Sequence, residues 1–131
     1  MTQRTLDWLS AGMLLALGLS HLAFAALAGG FALGFGSLFG MLAVREQDVE
    51  PLIGGAIFGG MGALVAVVFL VQALPALVGG AALFWRKDWA RVLGIVAGAL
   101  SLANVPVGTV LGGVPMCLLL YGWVQRGRTD A

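Results

Sequence analysis

Apolar runs dominate the chain, and short polar clusters separate them. After a polar start from Met1 to Asp7, the first run begins at Trp8-Leu9 and continues to about Ala28. Its length, about 20 residues, is enough for a helix to cross roughly 30 Å of hydrocarbon. Ala23-Phe24-Ala25 and Ala26-Leu27-Ala28 resemble small-residue cleavage sites, so a secretory signal peptide competes with a retained span. The run is long for a signal core, and Asp7 stands where positive charge is preferred, which favours the retained span. Gly29 to Val44 is apolar but broken by glycines and short for an independent crossing. It reads as an interfacial or re-entrant helix, with continuation of the first helix as an equal alternative.

Arg45 to Pro51 is the long polar loop, and Pro51 suits the first turn of the helix that follows. From Leu52 to Phe84 the chain is apolar for about 33 residues, about 50 Å as straight helix. That overruns a bilayer, so a break or protrusion is expected, at the glycine-rich stretch Gly54–Gly60 or at Pro75. The crossing part is placed at about 62–85, bent at Pro75. Trp85 and Trp89 bracket Arg86, Lys87 and Asp88, and mark a headgroup-level turn. A third span follows at about 89–103. Asn104-Val105-Pro106 leaves room for a tight turn only, making an antiparallel hairpin with a fourth span at about 106–123, kinked at Pro115. Residues 125–131 form a polar tail.

Composition fixes the class. The 131 residues are 60% hydrophobic and 10% charged, with a mean hydropathy of +1.01. A small soluble fold leaves roughly a third of its surface wet and cannot hide that much apolar area. The expectation is an all-α, multi-pass membrane protein with four transmembrane helices, in a bacterial inner membrane. A net charge of +1 with no basic stripe argues against nucleic acid as a partner. With the N-terminus inside, four spans put Arg4, Arg86, Lys87, Arg91, Arg126 and Arg128 on the cytoplasmic side and Arg45 outside. Six of the seven basic residues then obey the positive-inside rule, giving N-in, C-in.

The C-terminal half resembles a group of small bacterial integral membrane proteins. The likeness rests on Trp89-Ala90-Arg91, Leu93-Gly94-Ile95, Asn104-Val105-Pro106 and Gly108-Thr109-Val110-Leu111-Gly112, and covers about 40 of the 131 residues. It implies four helices and, because the group has no settled activity, lends no catalytic residues. The chain departs from the group at Gly113-Val114-Pro115-Met116-Cys117, where an aromatic-containing helix is usual.

His21 is the one histidine, and it sits within the first span. An ionisable residue at that depth is a functional candidate. It could ligate haem iron or a chlorophyll-type magnesium, or relay protons, against the plainer reading of a neutral imidazole bonded to another helix. Gln72 is the other polar side chain at depth, and a His21–Gln72 pair across helices is expected. Gly12, Ala16 and Ser20 form one small-residue face, and Ala90, Gly94 and Gly98 another, with Gly108 and Gly112 continuing the pattern. Such faces let helices approach closely in lipid.

Arg86, Lys87 and Arg91 signal topology or bind anionic headgroups, and Asp88 is expected to pair with Arg91 along the helix. Glu46, Asp48 and Glu50 lack the glycine and terminal glutamate of a calcium loop and read as a solvated loop. Asn104, Pro106 and Thr109 read as turn and cap residues. Cys117, the lone cysteine, excludes an internal disulfide and reads as a small hydrophobe. No nucleophile–base pair, phosphate loop or HExxH motif is present.

These features point to a non-catalytic accessory or scaffold protein, packing with itself or within a larger membrane complex, with membrane lipids as partners. The alternatives are a small oligomeric channel or transporter with His21 and Gln72 on the pathway, or a cofactor-carrying subunit with His21 as axial ligand.

Overall fold

The computed structural model describes residues 2–104 and 107–129, except for the side chains of Val107 and Thr129. The expected turn at Val105-Pro106, the start of the fourth span at Pro106 and the last two residues of the tail lie outside the described residues. Among the described residues the chain is all-helical: α1 (Gln3–Glu46), α2 (Glu50–Phe84), α3 (Trp89–Ser101) and α4 (Val107–Thr129). Three of them, α1, α2 and the Gly108–Arg128 part of α4, are long and apolar enough to cross a membrane. α3, at 13 residues, is about 20 Å long.

α1 runs for 44 residues without interruption. Residues 29–44 therefore continue the first helix, and no separate short helix follows it. This stretch has no proline to remove a backbone donor. α2 likewise passes through both Gly54–Gly60 and Pro75 as one helix, and α4 passes through Pro115.

The C-terminus of α2 closes in a Schellman arrangement. The Arg86 amide donates to the Leu83 carbonyl and the Lys87 amide to the Ala82 carbonyl, both at 3.1 Å. Arg86 takes the left-handed conformation at φ 56° that glycine usually fills there. Gln47, which follows α1, has φ 54°.

The chain forms two compact units. The larger takes in the chain up to His21 and from Gln72 onward. Its core is Ala11, Leu14, Leu17, Ala76, Ala82, Leu83, Ala90, Ala97 and Leu119, with Phe84, Ile95 and Leu111 packed against it. So many alanines bring the helices close, the packing that drives association where lipid is as apolar as leucine. α3 and α4 approach closely at glycine: a Cβ on Gly98 would lie 2.5 Å from the Gly112 carbonyl oxygen.

The smaller unit, Leu22–Val71, is a helical hairpin of the later part of α1 and the earlier part of α2. Cβ atoms added at Gly62 and Gly59 would lie 3.0 and 3.3 Å from the Ala28 and Ala32 carbonyl oxygens. At Gly55 the added atom would meet Phe39 at 2.8 Å. The glycine-rich stretch, one of the two candidate break points, is thus a packing face: the helix weakness of glycine is offset where it admits a neighbouring backbone. Phe31, Phe35, Phe39 and Phe58 form a run of ring contacts, and Phe24 stacks on Phe69 at 5.4 Å.

Candidate functional site

Polar side chains buried in an apolar bundle must bond to one another or to backbone. In the larger unit α1 supplies His21, which is 3% exposed, α2 supplies Gln72, and the α3–α4 connection supplies Asn104. The Asn104 amide nitrogen donates to Gln72 Oε1 at 2.5 Å and lies 3.2 Å from His21 Nε2. An amide nitrogen only donates, so in this contact His21 Nε2 is the acceptor.

His21 and Gln72, expected to pair, are thus joined through a third residue. Asn104 has two amide protons, enough to serve both acceptors at once. Its backbone meanwhile makes the turn: the Asn104 amide donates to the Ser101 carbonyl at 2.9 Å, and the Gly108 amide donates to the Asn104 carbonyl at 2.6 Å. Sequence reasoning assigned Asn104 to turn and cap chemistry and missed the side chain's role. The available signal was its position: an uncharged amide at the end of an apolar helix, in a chain with few other buried polar partners.

This arrangement holds three segments together and does not present the histidine to a ligand. An axial bond from His21 Nε2 to a haem or chlorophyll-type metal requires the Asn104 contact to break, so the residues as arranged do not fit that group. Among the described residues, no cluster of three or more His, Cys, Asp or Glu side chains is placed to hold a metal ion. Cys117 is exposed on α4.

The charged residues gather at one end of the same unit. Arg91 donates to Asp7 at 2.7 Å, joining α3 to the start of α1. The Gln3 side chain donates to the Gly122 carbonyl at 3.0 Å, joining α1 to the end of α4. Asp88 lies 3.8 Å from Arg126. The expected Asp88–Arg91 pair is replaced, because Arg91 turns to α1 and Asp88, preceding α3 with no side-chain cap bond, turns to α4. Arg86 and Lys87 are exposed in the turn between α2 and α3. Trp8, Trp85, Trp89 and Trp123 are all exposed on segments that meet here, and Trp8 packs edge-on against Phe84 at 4.8 Å. Sequence reasoning noted Trp85 and Trp89 but left Asp7 and Gln3 without partners.

The small-residue faces are placed differently from one another. Ala90, Gly94 and Gly98 are buried inside the larger unit. A Cβ on Gly94 would meet the Leu119 and Leu14 side chains at 2.8 and 2.9 Å, and one on Gly79 would lie 3.3 Å from the Gly94 backbone. Gly108 and Gly112 are buried against α3. On α1, by contrast, Gly12 and Ala16 are exposed and Ser20 is half-buried, its hydroxyl bonded to the Leu17 carbonyl at 2.7 Å. Nothing stands within 4 Å of a Cβ added at Gly12. The α1 face packed internally is the one carrying Ala11, Leu14 and Gly18. Thr109 is exposed on α4. Compared with known proteins, the chain matches no family model, no curated protein and no solved structure.

Proposed function

We propose that the protein is a non-catalytic accessory or scaffold subunit of a bacterial inner membrane. It crosses the bilayer four times with both termini on the cytoplasmic side. It associates with a second copy or with a larger membrane complex through the Gly12/Ala16/Ser20 face of α1. The observation that carries this reading is the contrast between the two small-residue faces. The α3 face is filled by the protein's own helices, while the α1 face has open space at Gly12 and an exposed Ala16. Small residues left bare in lipid gain nothing alone, and they gain close backbone packing when a partner helix meets them.

The charged end supports the topology. Gln3, Asp7, Arg91, Asp88 and Arg126 bond to one another or to neighbouring segments there, and the tryptophans that prefer headgroup level are exposed nearby. In a four-span arrangement Arg45 then stands alone outside. The closed Asn104 network supports a structural rather than a conducting role for His21 and Gln72, since the facing groups of both are used on Asn104. The resemblance of the C-terminal half to small four-helix membrane proteins agrees with this architecture and adds no activity.

Cross-linking in membranes tests the association. In a Cys117→Ser background, cysteine at Gly12 or Ala16 is expected to form an oxidative or bifunctional cross-link whose mass identifies a second copy or a heterologous subunit. Cysteine at Gly98, in the filled face, is expected to give none. Monomer alone from both α1 positions would sink the proposal.

A further inference from the structure

At the charged end of the larger unit two cavities adjoin, sharing Asp88, Arg91 and Arg126 in their walls. One, about 420 Å³, is completed on its apolar side by Val92, Ile95 and Trp123. The other, about 100 Å³, reaches Asp7, Arg86 and Lys87. Among the described residues four cations (Arg86, Lys87, Arg91, Arg126) face two carboxylates (Asp7, Asp88), which leaves a net charge of +2 around the pair.

The two carboxylates are not equivalent. Asp7 is held by Arg91 at 2.7 Å and is largely shielded, whereas the Asp88 side chain is 96% exposed and stands 3.8 Å from Arg126. An exposed pair that long has little strength, and a guanidinium carries five N–H donors, so Arg126 can take up an incoming anion alongside the partners it already has. Arg86 and Lys87 make no ion pair among the described residues. The ligand must therefore be anionic at one end. The apolar wall gives it a second requirement, because a free inorganic anion would leave Val92, Ile95 and Trp123 uncovered. Trp123 is 60% exposed and Val92 56% exposed, and indole rings settle at headgroup level.

We propose that this double cavity, formed by the α2–α3 turn, α3 and α4, is a binding site for an anionic phospholipid. Its phosphate sits among Lys87, Arg86 and Arg126, and the start of an acyl chain lies along Val92, Ile95 and Trp123. A net-anionic headgroup, such as a phosphoglycerol, answers the surplus positive charge. A zwitterionic phosphocholine carries its own ammonium and does not. The site requires the chain to be membrane-embedded but not to self-associate, so its failure would leave cross-linking through α1 standing.

The test titrates the full chain, in neutral detergent, with phosphatidylglycerol, phosphatidylcholine or inorganic phosphate, read by thermal unfolding. Phosphatidylglycerol is expected to bind about thirtyfold more tightly than phosphatidylcholine, the worth of two basic residues near a membrane surface. Inorganic phosphate is expected to leave the unfolding temperature unchanged. In Lys87→Gln/Arg126→Gln, both exposed positions, the preference for phosphatidylglycerol should disappear while the lipid-free unfolding temperature stays close to that of the parent. Native mass spectra of the unaltered protein give a second reading, with phosphatidylglycerol adducts outlasting phosphatidylcholine adducts at equal activation. Equal affinity for the two lipids, a preference that survives the double substitution, equal adduct retention, or stabilisation by inorganic phosphate alone would each overturn the assignment.

Discussion

At the scale of single residues, Asn104 does the work of two side chains. Replacing it with leucine removes the donor to His21 and Gln72 together, taking that partner from one buried and one half-buried polar side chain. Asn104→Leu is expected to lower stability by about 1–2 kcal/mol, the upper part of the range for polar contacts between membrane helices. Gln72→Leu, which keeps the His21 contact, should cost less. Reversible unfolding of both variants in mixed micelles checks the order, and a larger loss for Gln72→Leu would contradict it. Gln47 offers a gain. Its left-handed φ of 54° carries a Cβ penalty that glycine avoids, so Gln47→Gly should raise stability by about 0.5–1 kcal/mol. The same unfolding measurement reads it. His21 and Gln72 were legible in the sequence because each interrupts an apolar run. Asn104 was not, because its place before Pro106 is fully accounted for by turn chemistry, and nothing local reveals that the side chain turns back toward α1 and α2.

At the scale of elements, glycine spacing announced helix contacts but not their partners. The faces at Ala90/Gly94/Gly98 and Gly12/Ala16/Ser20 share one four-residue spacing, yet the first is filled and the second open. What separates them is whether a neighbouring helix reaches the face, which only the tertiary arrangement decides. The Gly55/Gly59/Gly62 face of α2 was hidden for a different reason: glycine runs read as helix breaks from propensity, and tight helix pairing overrides propensity here. The glycines of residues 29–44 likewise leave an interfacial helix and a continued first helix equally open in the sequence, and without proline the helix continues to Glu46. Gly98→Leu should destabilise the α3–α4 pair by about 3 kcal/mol or more, since even a Cβ meets the Gly112 carbonyl. Gly12→Leu should leave the stability of the isolated chain within about 0.5 kcal/mol. Thermal unfolding in detergent at monomer-favouring dilution separates the two, and a large loss at Gly12 would mean that its face is filled internally.

At the scale of the whole molecule, charge and tryptophan placement are the support for the proposed topology. The class of protein was evident from composition, because a chain 60% hydrophobic has few soluble solutions at this size. The four-helix count was legible from the polar punctuation, while the ion pairs that tie Asp7 to Arg91 and Asp88 to Arg126 depend on distant segments meeting. With Cys117→Ser as background, a membrane-impermeant maleimide applied from outside should label cysteine at Gln47 and spare cysteine at Arg128; the reverse pattern would invert the proposed orientation. The association through α1 is tested most directly by native mass spectrometry of the full chain released from membrane-derived nanodiscs. The account predicts a defined species heavier than the 13.5 kDa monomer, either a multiple of it or a complex with another subunit, that reverts to the monomer in Gly12→Leu/Ala16→Leu. A wild-type chain found only at 13.5 kDa, or an assembly unchanged by that double substitution, would contradict it.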